Sequence, residues 1–373
     1  RAGGYVLAQG VHRVKVVVGK DTRMSGDMLE SALIAGLMSV GCDIIPVGVI
    51  PTPAVAYLTR KYNADCGVVI SASHNPMEDN GIKFFNKDGF KLDDAIELEI
   101  EKYIENIDKV DCNPVGENVG VINHEHNALR DYVDYLKSII NVDLTGMKVV
   151  LDCANGASYE VAPTVFKELG ANVIDINTTP NGKNINDKCG STHPEMLQKA
   201  VVENKADLGL AYDGDADRLI AVDENGNIVD GDHIMILSAV YLKKKNQLSN
   251  NTLVITVMTN IGLNVAAREH GINLETTDVG DRYVIEAMKK GEFNLGGEQS
   301  GHMIFSDYNT TGDGVLSSLM LSKIIMEEKK PLSELASIMS VYPQVLVNVE
   351  VKNEVKNKFM EVEEIKNEIT RIE

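Results

Sequence analysis

The chain has 373 residues, with 36 Lys or Arg against 55 Asp or Glu, which gives a formal net charge of −19. This acidic balance argues against a protein that binds nucleic acid or an anionic membrane through a basic face. Hydrophobic residues make up 44% of the chain and charged residues 24%, which excludes global disorder, and the absence of Trp disfavours a base-stacking surface.

Three stretches of the chain repeat one pattern of strand, loop, helix and strand. After a short helical stretch at 1–8, the copies comprise residues 15–19, 28–40 and 42–47, then 148–151, 161–169 and 170–174, and more loosely 253–256, 263–269 and 271–274. A Gly ends the helix in each copy, and continuous Val/Ile runs are typical of strands covered on both faces. The repeat predicts three consecutive, related α/β domains at 1–142, 143–243 and 244–340.

The last residues, 341–373, are too few to bury a core of their own. They combine a Val-rich strand at 345–351 with an amphipathic, Glu- and Lys-rich helix, so we interpret them as the beginning of a fourth domain. Because residues 1–8 already read as helix and lack an initiator Met, we expect the chain to be cut at both ends.

The five cysteines are far apart and form no CxxC pair; they are Cys42, Cys66, Cys112, Cys153 and Cys189. This usage predicts buried thiols in a reducing compartment rather than a disulfide scaffold or a zinc site. No signal segment begins the chain, and the most apolar stretch, 31–58, contains an Asp and three prolines. We therefore expect a cytoplasmic protein.

A polar loop follows the buried strand at 66–70, and it contains Ser73 and His74. Ligands of open α/β sheets bind at the carboxyl ends of strands, where Ser73 would lie. A Ser beside a His suggests a nucleophile, although a turn that satisfies its own backbone is the alternative. The turn at 79–82 could return Lys83 to the same place, but the residues alone favour an exposed hairpin lysine.

A second loop carries three carboxylates, Asp213, Asp215 and Asp217, separated only by Gly or Ala. These small residues let the loop curl, so the carboxylates can converge on a cation, and oxygen ligands of this kind suit Mg²⁺. A solvated acidic turn is the alternative. A calcium EF-hand fails because Arg218 stands where that motif needs Gly. Beside a metal, Arg218 is better explained as a phosphate clamp.

The third loop, at 296–302, combines flexible glycines with Glu298, Ser300 and His302. It could aim donors and acceptors at a polyol, or it could be a hairpin turn with incidental polar residues. A nucleotide cofactor has no support, because no G-x-G-x-x-G follows a strand and Val14 replaces the first Gly of a P-loop.

With these loops in this order, one in each α/β unit, the chain resembles the α-D-phosphohexomutase superfamily. The sequences Cys-Gly-Ser-Thr-His-Pro-Glu at 189–195 and Val-Gly-Asp-Arg-Tyr at 279–283 extend the likeness over essentially the whole chain. They favour the bacterial branch that acts on glucosamine phosphates. The resemblance implies mixed sheets around a central cleft.

The resemblance also assigns roles to individual residues. It implies that Ser73 is the phosphoserine and that a phosphate oxygen on it shares the metal with Asp213, Asp215 and Asp217. Glu298 and Ser300, with His302 in the same loop, would bind the sugar. His74, Lys83 and Arg218 would transfer protons or contact phosphate. Lys83 is the expected base, provided that cations such as Arg218 depress its pKa.

The activity implied is interconversion of glucosamine 6-phosphate and glucosamine 1-phosphate through phospho-Ser73 and a 1,6-bisphosphate, which would supply amino-sugar nucleotide and cell-wall synthesis. A glucose or mannose phosphate mutase, a phosphatase using the same serine and a non-catalytic metal-binding scaffold remain alternatives. We expect Mg²⁺ as cofactor and glucosamine or glucose 1,6-bisphosphate as activator. A sugar phosphate is the expected partner, with no nucleic acid and no membrane, and a homodimer is allowed for.

Two segments normal in the superfamily are absent from the sequence. No Gly-Thr-Asp-Gly-Ile-Arg-Gly precedes Arg1, and no Arg-x-Ser-Gly-Thr-Glu-Pro loop follows Ile372. We expect the chain as given to retain the transfer machinery while lacking half of the substrate clamp.

Overall fold

A computed structural model describes residues 1–7, 13–124, 127–345, 347 and 349–372. The chain divides into two compact units, Arg1–Ser340 and Val341–Glu373, and each is described by itself. The first unit contains three mixed sheets, as the resemblance implied.

The first sheet has the strand order β2-β1-β3-β4, in which β4 alone runs antiparallel to its neighbour. Val16, Val17 and Val18 of β1 are completely buried, because helices cover both faces of this strand. The elements are α1 (Ala2–Leu7), β1 (Lys15–Lys20), α2 (Gly26–Met38), β2 (Asp43–Val49), α3 (Thr52–Lys61), β3 (Cys66–Ile70), β4 (Ile82–Asn86), α4 (Asp94–Glu105) and α5 (Ala128–Ile140).

The second sheet repeats this plan with one added edge strand, in the order β6-β5-β7-β8-β9. Strands β6 and β7 flank β5 in parallel, and β8 returns antiparallel to β7. The elements are β5 (Lys148–Asp152), α6 (Val161–Glu168), β6 (Asn172–Ile176), α7 (Glu195–Asn204), β7 (Leu208–Tyr212), β8 (Leu219–Asp223) and β9 (Ile228–Val229).

The third sheet has the order β11-β10-β12-β13, with β13 antiparallel to β12. Its elements are α8 (Gly231–Lys244), β10 (Thr252–Thr256), α9 (Ile261–Glu269), β11 (Asn273–Thr277), α10 (Asp281–Gly291), β12 (Leu295–Gly297), β13 (Met303–Phe305), α11 (Gly314–Glu328) and α12 (Leu332–Ala336). Helix α8 packs against β10 and β12 of this sheet, although the predicted boundary assigns it to the second domain. The exact boundaries stay predictions.

The repeated topology gives all three sheets the same kind of hairpin. In each, the strand that pairs in parallel with the central strand returns antiparallel, as β3–β4, β7–β8 and β12–β13. The three polar loops singled out in the sequence lie at these three turns. The fold therefore places one candidate functional loop at the equivalent position of each domain.

The unit Val341–Glu373 contains a 3₁₀ helix at Lys356–Glu361 and the helix α13 at Glu363–Ile372. The predicted amphipathic helix is present, but the predicted strand at 345–351 is wrong for the residues described there, while 346 and 348 lie outside them. A strand needs a hydrogen-bonded neighbour, and none forms among the described residues of this unit. Across the described part of the chain, no helix combines the length and apolarity needed to cross a membrane.

Candidate active site

The loop after β3 holds Ser73 in an unusual backbone conformation. Its φ is 50°, in the left-handed region that non-glycine residues rarely adopt and that costs about 1–3 kcal/mol. The Ser73 N–H donates to Ser71 Oγ at 3.0 Å, and the Ser73 hydroxyl donates to Asp213 Oδ2 at 2.5 Å. The loop of the first sheet thus delivers its serine directly to the acidic loop of the second.

The acidic loop between β7 and β8 is curled, with Ala216 also left-handed at φ 59°. One ligand oxygen from each of Asp213, Asp215 and Asp217 lies within 4.8 Å of the others, and all three residues are buried. The predicted convergence of the carboxylates is therefore present in the fold.

The pKa values of Asp213 and Asp215 in this cluster are shifted in opposite directions. Burial raises the pKa of Asp213 well above its usual value, and repulsion from Asp217 and Asp215 adds to the effect. Burial would also raise the pKa of Asp215, but the Lys83 ammonium and the hydroxyl of Thr52 lower it. Repulsion among three carboxylates this close therefore favours a cation at the cluster.

The residues present fit a divalent cation at this point. Asp215 Oδ1 and Asp217 Oδ1 are buried and have no hydrogen-bond partner among the described residues. Buried acceptors without a partner are costly, and a cation would satisfy both oxygens while removing the repulsion. The donor set is all oxygen, as hard cations such as Mg²⁺ require. The Asp triad can therefore hold a metal ion, with Ser73 Oγ beside it.

Lys83 on β4 lies against the same cluster. Its Nζ is 2.6 Å from Asp215 Oδ2 and 3.6 Å from Asp217 Oδ2. Burial lowers the pKa of Lys83, but the charges of Asp215 and Asp217 outweigh it and raise the pKa. These acidic neighbours do not favour the condition set for Lys83 as a base, a depressed pKa. The role of Lys83 stays a prediction.

His74 lies on the exposed side of the serine loop. Burial, followed by the charges of Arg218 and Lys83, lowers the pKa of His74 below its usual value of 6.5, although Asp217 and Asp215 oppose the shift. The imidazole is therefore neutral at pH 7 and able to accept a proton.

Arg218 and His302 join the acidic loop to the loop of the third sheet, because their backbones form an isolated antiparallel bridge. Arg218 Nε is buried and has no partner among the described residues. His302 Nε2 is 3.9 Å from both Asp217 Oδ2 and Asp281 Oδ2, and neither ring nitrogen has a hydrogen-bond partner in the described structure. Both side chains thus present unused donors at the cluster.

In the loop of the third sheet, two of the residues predicted to bind the sugar differ in burial. Glu298 is half-buried and accepts a hydrogen bond from the Gly280 N–H at 3.0 Å, whereas Ser300 is exposed. The fold brings this loop to the acidic loop through a Leu219 N–H bond to the Gly301 carbonyl at 3.0 Å. The sugar-binding role of Glu298 and Ser300 stays a prediction.

Several residues at the site were not predicted from the sequence. The Thr52 hydroxyl donates to Asp215 Oδ2 at 2.6 Å, and Asn186 and Arg23 both donate to carbonyls of the serine loop. Lys91 of the first domain forms an ion pair with Asp281 of the third. Thr52 could have been found, since it follows the strand β2 at a carboxyl end, where ligands bind.

Comparison with known families matches all three domains. The chain matches phosphoglucomutase/phosphomannomutase alpha/beta/alpha domain I over residues 1–111, domain II over 130–226 and domain III over 230–342. Phosphoglucosamine mutase of Clostridioides difficile (strain 630) is 77% identical over 373 residues, which cover 100% of this chain and 83% of that protein. These likenesses span nearly all of the chain.

Solved structures agree on the fold. A phosphoglucomutase/phosphomannomutase family protein from Burkholderia thailandensis has a TM-score of 0.78 at 28% identity, covering 93% of this chain and 75% of that one. Aspergillus fumigatus N-acetylphosphoglucosamine mutase, in complex with GlcNAc-6P and magnesium, has a TM-score of 0.61 at 19% identity, covering 80% and 78%. A variant of that fungal enzyme in complex with glucose 1,6-bisphosphate gives 0.58 at 17%, covering 92% and 83%.

Proposed function

The chain belongs to the phosphoglucosamine mutases of the phosphoglucomutase/phosphomannomutase family, and on this premise we propose that it interconverts glucosamine 6-phosphate and glucosamine 1-phosphate. The observation that carries the proposal is the 2.5 Å contact between Ser73 Oγ and Asp213 Oδ2, at a triad whose buried oxygens lack partners. A serine held there is suited to carry a phosphoryl group beside a cation.

In the proposed reaction, phospho-Ser73 gives its phosphoryl group to the 1-hydroxyl of glucosamine 6-phosphate. The bond between phosphorus and Ser73 Oγ breaks, and a bond to the sugar oxygen forms as that hydroxyl loses its proton. Ser73 Oγ takes up a proton, and the 1,6-bisphosphate then turns end for end. In the second transfer the bond between phosphorus and the sugar O6 breaks and a bond to Ser73 Oγ forms, as the Ser73 hydroxyl loses its proton and O6 gains one. Glucosamine 1-phosphate leaves, and the enzyme is again phosphorylated.

We assign the proton and charge roles from the electrostatics. Lys83, protonated beside Asp215, stabilises the phosphoryl oxygens during transfer, and the unpartnered guanidinium Nε of Arg218 does the same. His74 is the neutral group available to take the hydroxyl proton. Glu298, Ser300 and His302 would orient the sugar hydroxyls.

The proposed cofactor is Mg²⁺, held by Asp213, Asp215, Asp217 and a phosphate oxygen on Ser73. When bound, it would supply Lewis-acid stabilisation of the charge on the transferring phosphoryl group. Support comes from the all-oxygen donor set and from the magnesium bound to the fungal mutase of the same fold. Glucosamine or glucose 1,6-bisphosphate would prime Ser73.

The setting we propose is the cytoplasm, with domains at 1–142, 143–243 and 244–340 and a sugar phosphate as partner. The five cysteines are free thiols, and four of them are buried, which suits a reducing compartment. A homodimer stays a prediction.

The test compares the wild type, Ser73→Ala and the control Ser138→Ala, whose exposed hydroxyl lies on α5. Glucosamine, glucose and mannose phosphates are assayed side by side, and inorganic phosphate is measured in the same reactions. We expect fastest turnover of glucosamine phosphate, no detectable turnover by Ser73→Ala and no loss in Ser138→Ala. Release of inorganic phosphate at the rate of substrate loss would establish a phosphatase instead.

A further inference from the structure

Two main-chain carbonyls of the serine loop each accept hydrogen bonds from two side chains. The carbonyl of Ser73 accepts from Arg23 Nη2 at 2.9 Å and from Asn186 Nδ2 at 2.9 Å. The carbonyl of Asn75 accepts from the same two groups, at 2.8 and 3.1 Å. Arg23 belongs to the first sheet's domain and Asn186 to the second, so the donors come from different domains.

The hydrogen bonds of Arg23 stay within the first domain. Its side chain is fully buried, and its Nε donates to Asp21 Oδ2 at 2.8 Å. Asp21 in turn accepts from the Ser71 hydroxyl, the atom that also receives the Ser73 N–H. This closed network shapes the loop around the left-handed Ser73, and all of its members belong to the first domain.

Asn186 bonds the serine loop itself to the second domain. It lies in the segment between β6 and α7, and its N–H bonds to the carbonyl of Ala154 at 2.9 Å, within the second domain. Its φ of 57° is one that Asn tolerates better than most residues. A Cβ on Gly214 of the acidic loop would meet Ser73 O at 2.5 Å and Asn186 Nδ2 at 2.7 Å. Because Gly214 has no side chain, the Ser73 carbonyl and the Asn186 amide can both lie close to the acidic loop.

The direct bond between the two loops cannot persist through the proposed reaction. Ser73 Oγ donates its hydroxyl hydrogen to Asp213, and that hydrogen is gone whenever the oxygen carries a phosphoryl group. Among the described residues, the amide of Asn186 bonds only to main-chain carbonyls, which phosphorylation leaves unchanged. The Asn186 contact is thus available in both states of the serine.

We infer that Asn186 is a positioning residue, which fixes the serine loop against the acidic loop in the phosphorylated and the free enzyme alike. This inference rests on the proposed function. Asn186 acts through the carbonyls of Ser73 and Asn75, and in the described structure its side chain has no hydrogen bond to the reacting oxygen or to the carboxylates. Loss of its amide would leave the loop shaped by Arg23 but free to shift relative to Asp213, and a shift near 1 Å costs about 100-fold in rate.

The experiment uses two variants and a matched control. Asn186→Gly keeps the left-handed backbone and removes the amide, whereas Asn186→Asp keeps the shape and replaces the donor with an acceptor. Asn177→Gly is the control, because Asn177 is also left-handed at φ 53° and donates its amide within the second domain, to Asp152 at 3.0 Å. Steady-state kinetics and hydrogen exchange of residues 71–81 are measured on all of them.

We expect both Asn186 variants to lower kcat about 10- to 100-fold with KM changed less than about twofold, and to speed hydrogen exchange in the serine loop. The control should keep kcat within about threefold, with exchange at 71–81 unchanged. Should either Asn186 variant fail to fold, the other decides. Wild-type kcat or wild-type exchange in a folded Asn186 variant would overturn the inference.

The exchange measurement separates this inference from the proposed function. A wild-type chain that does not interconvert glucosamine phosphates refutes the mutase assignment, yet faster exchange at 71–81 in the variants would still support the Asn186 contact. An active wild type whose Asn186 variants match it in rate and exchange refutes the positioning role alone.

Discussion

Replacing Gly214 by Ala tests how closely the serine loop must pack on the acidic loop. Its backbone φ is not in the left-handed region, so the substitution adds one methyl group without backbone strain. That methyl would lie 2.5 Å from the Ser73 carbonyl oxygen, 2.7 Å from Asn186 Nδ2 and 2.9 Å from Ile185 Cδ1. Two of these three atoms belong to the contact that brings the serine to the cluster.

The required displacement follows from these distances. The gap to the Ser73 oxygen must open from 2.5 Å to between 3.0 and 3.4 Å, a shift of 0.5 to 0.9 Å. Overpacking of this kind costs about 1–3 kcal/mol of stability, so a chain of this size should stay folded. Because a misplacement near 1 Å costs about 100-fold, we expect kcat of Gly214→Ala to fall by about 10- to 100-fold.

The assay is steady-state conversion of glucosamine 6-phosphate, accompanied by a thermal melt. Gly26→Ala is the control, since its added methyl would meet its nearest atom at an ordinary 3.5 Å. A folded Gly214→Ala variant with kcat within about threefold of wild type would refute the reasoning, because the two loops would then tolerate separation.

Further predictions concern the cluster itself. Thr52→Val removes the hydroxyl bonded to Asp215 and should weaken Mn²⁺ binding about 10-fold by calorimetry, whereas unchanged affinity would deny Thr52 that role. Lys83→Met should lower kcat at least about 100-fold with a smaller change in KM; a larger loss in KM than in kcat would indicate ground-state binding instead. The rate should rise with pH through the pKa of His74, below 6.5, and His74→Gln should lose that limb of the profile. The pKa of Asp213 is raised, so ionising it costs stability as pH climbs above its usual value; the rise in Tm on adding Mg²⁺ should therefore be larger at pH 8 than at pH 5, and an equal rise would contradict this.

Much of the architecture could be predicted from the sequence, because strands buried on both faces appear there as continuous runs of apolar residues. The Val runs at 15–19 and 148–151 correspond to β1 and β5, and the Gly-terminated helices follow them. The strand expected at 345–351 is absent from the residues described there, because a Val-rich run predicts a strand only where a neighbour exists to pair with it. Sequence pattern does not state whether that neighbour is present.

The site was predictable to the extent that its chemistry is local in sequence. Asp213, Asp215 and Asp217 lie within five residues, so their convergence could be foreseen. Asn186 lies 113 residues from Ser73 and acts on main-chain carbonyls, which no residue pattern reveals. The direction of the Lys83 pKa shift could not be predicted for the same reason: it depends on which neighbours the fold places nearest, and those are Asp215 and Asp217.

The most direct test follows a labelled phosphoryl group onto Ser73. The protein is incubated with glucose 1,6-bisphosphate carrying ³²P, with Mg²⁺ or with EDTA, and the labelled peptide is identified by mass spectrometry. We expect label on Ser73 alone, dependent on Mg²⁺ and chased into glucosamine bisphosphate by added glucosamine 6-phosphate. Label on another residue, or label on Ser73 that glucosamine 6-phosphate cannot remove, would contradict it.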